Sequence, residues 1–134
     1  MTLSEFSSMT KREVLTKALP LRISQANSVP DPTLWMAGAD WSFYFICPWL
    51  LKGPNIKIDR YNDKLESINE RELNASDLSF LIGRDIYEVS SDENLVDAVF
   101  YISGGVELAI HTDTDLDPWV IRIPGITLVG GITA

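Results

Sequence analysis

Apolar and polar residues alternate with a period of two over much of this chain, and that alternation is typical of β-strands with one face toward a core. In Trp41 to Ile46 both faces are largely apolar, so the segment predicts a central strand covered on both sides. Asn55 to Tyr61 alternates isoleucine with charged residues and predicts an outer strand. Further strands are predicted at 21–25, 33–36, 85–90, 95–102, 106–111, 119–123 and, as a closing strand or tail, 125–131.

Two segments depart from this alternation and indicate helices. Thr10 and Glu13 have the spacing of a capping box, in which both side chains satisfy free backbone N–H groups at a helix start. Apolar residues then recur on one helical face until Pro20, so we predict a short helix over about residues 10–19. A second brief helix is predicted to end at Gly83, because glycine commonly follows the last turn of a helix.

Glycines predict a hairpin turn at 103–105, because glycine adopts positive φ at little steric cost. The segment before it supports two interpretations. Ser90 and Glu93 have capping-box spacing, which favours a helix over 94–101. The β-branched and aromatic residues that follow favour a strand, and we predict the strand.

One short element occurs twice. An alternating strand leads into Pro48-Trp49 and two aliphatic residues, and another leads into Pro118-Trp119 and two more. Tryptophan is scarce in most sequences, so the recurrence indicates either chance or one unit used twice, with half-repeats at 19–61 and 81–123. The polar and charged segment 62–75 separates them. We predict an α+β, β-rich domain over residues 1–134: a mostly antiparallel sheet or partly open barrel with a short N-terminal helix, and with internal duplication as a hypothesis.

Composition and charge narrow the class of protein. A chain of 134 residues with 46% hydrophobic and 22% charged residues suits one globular core and excludes bulk disorder. Nineteen acidic residues against eleven Lys and Arg give a net charge of −8. That charge repels nucleic acid and anionic membranes and attracts basic partners. Net negative charge also keeps a protein soluble without any partner.

The single cysteine, Cys47, excludes an intramolecular disulfide and a thiolate cluster, and its apolar neighbours predict a buried thiol. A reducing cytoplasm is therefore the expected compartment. The N-terminal residues do not resemble a signal peptide, and no stretch reaches the roughly 18 apolar residues of a membrane span. We predict a cytoplasmic protein.

The segment from His111 to Asp117 is the candidate for metal chemistry. Asp113, Asp115 and Asp117 supply hard oxygen ligands, and the histidine adds a nitrogen. Counted from Asp113, however, the sixth position of a calcium loop is Pro118, where glycine is needed. We expect an acidic surface loop that docks onto Lys and Arg of a partner, with Trp119 in the core.

No catalytic signature is present in the sequence. The chain has neither a Gly-x-Ser-x-Gly elbow nor a phosphate-binding glycine loop. Its aromatic residues cluster without the positive groove of a single-strand nucleic-acid binder, so core packing explains them better. We predict a non-enzyme without metal or cofactor.

The second half resembles small bacterial domains found beside polymorphic or contact-dependent toxins. The resemblance rests on Leu81-Ile-Gly-Arg-Asp-Ile, Ser103-Gly-Gly-Val-Glu-Leu and Asp117-Pro-Trp-Val, and it extends over roughly residues 19 to 122. Those domains act as immunity proteins, which neutralise a toxin by binding it. The resemblance therefore implies a bacterial protein that blocks a cognate basic toxin, such as a nuclease.

Two functional hypotheses follow from the sequence, beside a third possibility, a structural or accessory domain whose aromatic core serves only folding. The first is a non-catalytic acidic immunity protein. Its predicted partner-binding residues are Asp113, Asp115, Asp117, Asp92 and Glu93. The alternative is a metal-dependent enzyme or ligand-binding domain centred on His111 and the three loop aspartates.

Overall fold

The computed structural model of the chain describes residues 10–28, 33–47, 49–54, 56–60, 75–91, 95, 97–111 and 119–129. These residues form one α-helix, α1 (Lys11–Ala18), one 3-10 helix (Ala75–Leu81) and eleven β-strands. The strands are β1 (Leu21–Arg22), β2 (Gln25–Asn27), β3 (Leu34–Ala37), β4 (Ser42–Phe45), β5 (Trp49–Gly53), β6 (Ile56–Arg60), β7 (Asp85–Ser90), β8 (Val99–Ile102), β9 (Val106–Ile110), β10 (Trp119–Ile123) and β11 (Ile126–Val129).

The strands form two antiparallel sheets that pack face to face. Sheet A has the order β1-β7-β8-β9-β5-β6, and sheet B has the order β11-β10-β4-β3-β2. Phe43 and Phe45 of sheet B contact Phe100 of sheet A, with ring centroids 5.6 and 5.7 Å apart. The predicted β-rich antiparallel architecture is confirmed. The described strands make two separate sheets rather than a closed barrel.

Sequence alternation explains which face of each sheet is buried. In β9, Val106, Leu108 and Ile110 are buried while the two residues between them are only half-buried. Strand β4 lies between β10 and β3, which confirms the predicted central position. The prediction that it is covered on both sides is wrong, since Tyr44 is half-buried and Ile46 is 55% exposed. Apolar residues on both faces of a strand do not by themselves supply a second covering layer.

Helix α1 links the two sheets at their edges. Lys11 Nζ donates to the Val129 carbonyl in sheet B, and Arg12 Nη1 donates to the Ser91 carbonyl just beyond sheet A, both at 2.9 Å. Val14, on the same helix, is buried in the core. The capping box is confirmed, because the Glu13 amide donates to Thr10 Oγ1 at 3.1 Å and the Glu13 carboxylate accepts from the Thr10 amide.

Two segments differ from the predicted strands. Residues 21–25, predicted as one strand, contribute to both sheets: β1 pairs with β7, and β2 pairs with β3. The predicted strand 95–102 begins only at Val99, and Leu95 has a φ of 58°, in the left-handed region. For residues 21–22 the pairing partner is distant in sequence, since Leu21 pairs with Ile86.

Several local predictions are confirmed. The 103–105 turn joins β8 to β9 in a hairpin, and β11 forms the closing strand. Cys47 is a buried thiol, and β6 is the outer strand of sheet A. The brief helix before Gly83 is present, as a 3-10 helix. No helix within the described ranges is long and apolar enough to cross a bilayer.

The two Pro-Trp steps carry the chain between the sheets in opposite directions. The first leads from β4 in sheet B to β5 in sheet A, and the second leads from β9 in sheet A to β10 in sheet B. Trp49 pairs with Ile110, Trp119 pairs with Phe45, and both tryptophans are completely buried. The predicted core position of Trp119 is confirmed.

The two sheets share one strand order. Strands β7-β8-β9-β5-β6 of sheet A correspond one by one to β2-β3-β4-β10-β11 of sheet B. Apart from β1, which lies in sheet A, each half of the chain therefore contributes three strands to one sheet and then two strands to the other, beside strands of the other half. This correspondence is consistent with the hypothesis of internal duplication, which stays a prediction.

Candidate functional site

Two connections of the chain leave sheet A at the same end. Ser90, the last residue of β7, pairs with Val99, the first residue of β8. Val99 in turn pairs with Ala109, next to the last residue of β9. The connections β7–β8 and β9–β10 therefore both start from this end of the sheet.

A third connection leaves the sheet at that end as well. Trp49 at the start of β5 pairs with Ile110 on one side and with Arg60 on the other. Because Arg60 is the last residue of β6, the chain enters its 61–74 connection there. We call this edge of the sandwich, with its three connections, the acid-rich end.

The sequences of these connections justify the name. Residues 91–98 contain three carboxylates and no Lys or Arg. Residues 111–118 also contain three carboxylates and no Lys or Arg. Residues 61–74 contain four carboxylates and two basic residues. Ten of the chain's nineteen acidic residues thus belong to connections that begin at one end of one sheet.

All five predicted partner-binding residues fall in these connections. Asp92 and Glu93 belong to the β7–β8 connection, and Asp113, Asp115 and Asp117 belong to the β9–β10 connection. Their own positions lie outside the described residues. The two groups are about twenty residues apart in the sequence. The strand ends from which their connections start, at Ser90 and Ile110, nevertheless lie at the same end of sheet A.

Asp97 is a carboxylate that sequence reasoning did not single out. Its Oδ1 lies 2.7 Å from Nδ1 of His111, and the two side chains are 61% and 42% exposed. The Ile110 amide donates to the Ala98 carbonyl at 2.9 Å, which aligns the backbones of the two connections. The sequence held one signal for Asp97: a lone charge that interrupts the apolar run predicted as strand 95–102.

Trp119 is the first residue of β10 and follows the β9–β10 connection directly. Its ring is completely buried, and its Nε1–H is a buried donor that lacks a hydrogen-bond partner in the described structure. The Lys11 ammonium lies 5.8 Å from the ring centroid, within the range of a cation–π contact. Partial burial also lowers the pKa of Lys11. The described residues on either side of the β9–β10 connection are therefore His111, which pairs with Asp97, and the buried Trp119.

The described side chains His111 and Asp97 allow the acid-rich end to interact with a partner through hydrogen bonds and charge. No group of three or more His, Cys, Asp or Glu side chains suited to a metal ion occurs among the described residues. His111 is oriented by a carboxylate, as catalytic and metal-bound histidines often are, but an exposed His–Asp pair also forms on ordinary surfaces. The alternative hypothesis of a metal site that includes Asp113, Asp115 and Asp117 is not tested by this structure, because those residues lie outside the described ranges.

The opposite end of the sandwich carries both signs of charge. Arg22 and Asp85 form an ion pair there, with Nε and Oδ1 2.9 Å apart. Arg84 donates to the carbonyl oxygens of Phe80 and Ser103. Asp40, in the β3–β4 turn, is exposed.

Comparisons of the chain with protein-family models, with curated proteins and with solved structures find no match.

Proposed function

We propose that this protein is a non-catalytic binding protein that holds a basic protein partner at its acid-rich end. The observation that supports the proposal is the gathering of three carboxylate-rich connections at one end of sheet A. Carboxylates grouped in this way concentrate the negative potential on one surface and raise the association rate of a cationic partner.

A rigid frame supports this use. The strand ends on both sides of the carboxylate-rich connections are tied together, through the Ile110–Ala98 hydrogen bond and through buried Trp119. A frame that is already formed reduces the ordering that association requires, and this favours affinity.

The specific form of the proposal is a bacterial immunity protein that neutralises a cognate toxin in the cytoplasm. The resemblance of the second half to immunity domains supports it, together with the net charge of −8. An acidic inhibitor suits a nuclease toxin, because its carboxylates occupy the cationic groove that otherwise binds phosphates.

Co-purification tests the proposal most directly. The tagged protein is expressed together with the product of the adjacent reading frame, and the complex is isolated by affinity and size-exclusion chromatography. We expect a stoichiometric complex with a basic toxin whose activity is lost on binding. A neighbour that is not a toxin, together with capture of no basic partner, would remove the basis of the proposal.

Charge neutralisation then tests the surface. With Asp113, Asp115 and Asp117 all changed to Asn, we expect affinity for the toxin to fall about tenfold, because each exposed ion pair contributes roughly 0.2–1 kcal/mol. The dependence of affinity on salt concentration should become shallower. Asp40→Asn is the matched control, since Asp40 is an exposed carboxylate at the opposite end. Equal affinity and salt dependence of the triple variant and the wild type would exclude the β9–β10 connection from the interface.

The second candidate function is a metal-dependent enzyme or ligand-binding domain. The His111–Asp97 hydrogen bond favours it, because metal-bound histidines usually donate their other ring nitrogen to a carboxylate. Calorimetric titration with calcium, manganese and zinc separates the two functions. If none of the three ions produces heat or changes the Tm, this candidate is eliminated.

A further inference from the structure

A groove beside the edge of sheet B has the chemistry of a ligand site. It has a volume of about 380 Å³, within the range of small-molecule pockets, and it lies between edge strand β2 and the 3-10 helix. Its principal lining residues are Ser24, Gln25, Asn27, Trp35, Ser79 and Ile82.

The lining contains polar side chains but no charged ones. Four of its residues carry a neutral hydroxyl or amide, in a chain of which 22% of residues are charged. An ionic ligand would find no opposite charge among the lining residues. A purely apolar ligand would cover the hydroxyl and amide groups without offering them hydrogen bonds, which is unfavourable. The groove therefore suits a neutral ligand that is both apolar and rich in hydrogen-bonding groups.

Trp35 distinguishes this groove from the core. The other three tryptophans are at most 6% exposed, whereas Trp35 is half-buried on the outward face of β3. Trp41 Nε1 donates to the Arg22 carbonyl at 3.1 Å, but no protein acceptor is present for Trp35 Nε1 in the described structure. The half-buried ring thus contributes aromatic surface to the groove, together with a hydrogen-bond donor.

Polar groups surround that ring. Asn27 is the register partner of Trp35. Its Oδ1 accepts from the Ser28 amide at 2.7 Å, and this hydrogen bond does not use the two N–H donors of its side-chain amide. Gln25 is exposed, and its amide has no hydrogen-bond partner within the described residues. Ser24 Oγ donates to the Ala37 carbonyl and keeps its lone pairs as acceptor sites.

We propose that this groove is a binding site for a neutral saccharide. A pyranose ring presents a face of C–H groups and a rim of uncharged hydroxyls that both donate and accept hydrogen bonds. The C–H face packs on the Trp35 indole, and the hydroxyls bond to the amides of Gln25 and Asn27. The site lies on sheet B, whereas the acid-rich end belongs to sheet A, so the proposal does not depend on toxin binding.

Titration with sugars tests the proposal. Glucose, galactose, mannose, N-acetylglucosamine and their common disaccharides are added separately to the isotopically labelled protein and followed by NMR and tryptophan fluorescence. We expect at least one sugar to give saturable shifts that centre on the Trp35 indole and the Asn27 amide. Absence of saturable shifts with every sugar would overturn the proposal.

Variants show whether the groove is the site. Trp35→Ala should weaken sugar binding at least tenfold. Gln25→Ala changes an exposed side chain, so we expect it to leave the fold intact and to weaken sugar binding several-fold. Tyr87→Ala is the control, because Tyr87 is an aromatic residue of sheet A that is 54% exposed. Unchanged binding in both groove variants would refute the assignment. Shielding of Trp35 by a protein partner in the absence of any sugar binding would refute it as well.

Discussion

At the scale of single residues, Arg22 and Asp85 show how one ion pair joins two strands that are far apart in sequence. Arg22 Nε donates to Asp85 Oδ1 at 2.9 Å, and Nη2 donates to Oδ2 at 3.3 Å, which is a bidentate geometry. These hydrogen bonds lower the pKa of the Asp85 carboxyl and raise the pKa of Arg22. Solvent screens the pair because both side chains are accessible, so its contribution to stability is small.

The pKa of Asp85 gives a prediction with a definite sign. Because this pKa is lower in the folded than in the unfolded chain, the pair stabilises the fold above the unfolded pKa of about 3.9, and the stabilisation disappears as pH falls through the folded pKa. In Arg22→Gln we expect the pKa of Asp85 to rise toward its ordinary value, measured by NMR titration of the carboxyl carbon.

Stability measurements on the same variant complete the test. The difference in unfolding free energy between wild type and Arg22→Gln should be present at neutral pH and vanish in strong acid. Lys17→Gln is the control, because Lys17 is an exposed cation of α1. An Asp85 pKa that is the same in wild type and Arg22→Gln would contradict the role given to the pair.

At the scale of elements, the β3–β4 hairpin is closed by an aromatic side chain as well as by its backbone. The Gly38 amide donates to the Trp41 carbonyl at 3.0 Å, and the Trp41 indole donates to the Arg22 carbonyl of β1. A Cβ on Gly38 would lie 1.9 Å from Trp41 Nε1 and 2.5 Å from the Arg22 carbonyl oxygen. Gly38 is therefore required by close packing between a sheet B hairpin and a sheet A strand.

Gly38→Ala should accordingly lower the free energy of unfolding by about 2–4 kcal/mol, since it displaces the indole and breaks its hydrogen bond. The near-ultraviolet circular dichroism of tryptophan should change with it. Gly125→Ala is the matched control, because Gly125 has a φ of +87° but open space around it. This control should lose only about 1–2 kcal/mol, the strain of left-handed backbone, without the spectral change. Similar losses in both variants would show that the contact with Trp41 is unimportant.

Strand positions could be predicted because the alternation of apolar residues that buries one face is a local pattern in the sequence, as in segment 106–110. The split of residues 21–25 between two sheets could not be predicted, since it depends on the pairing of Leu21 with Ile86 in one sheet and of Gln25 with Ala37 in the other. The candidate site divides in the same way. The acidic segments are visible in the sequence, but their common origin at one sheet end follows from strand pairing, and Asp97 was assigned to a strand.

At the scale of the whole molecule, the two halves of the chain are interleaved. Strand β5 of the first half pairs with β9 of the second, and β10 of the second pairs with β4 of the first. The aromatic core is shared in the same way, since Phe43 and Phe45 contact Phe100. Neither half contains a complete pair of facing sheets.

Interleaving predicts the behaviour of split chains. With the chain divided within 61–74, fragments 1–67 and 68–134 should each fail to fold alone, because β4, β5, β9 and β10 each lose a pairing partner. Co-expression should yield a one-to-one complex with the near-ultraviolet spectrum of the intact protein. Size-exclusion chromatography and NMR dispersion measure both results. A native-like spectrum from either fragment alone would refute the interleaved assembly.

The exchange of strands between the sheets also sets the timing of folding during synthesis. A ribosome releases β3 to β6 well before it makes β8, so Phe43 and Phe45 leave the exit tunnel without the ring of Phe100 to cover them. Sheet B gains its β10 and β11 strands only when Val129 has been translated. We therefore expect the nascent first half to expose apolar side chains until the second half is made, and the two-sheet core to be completed only once translation has reached β11.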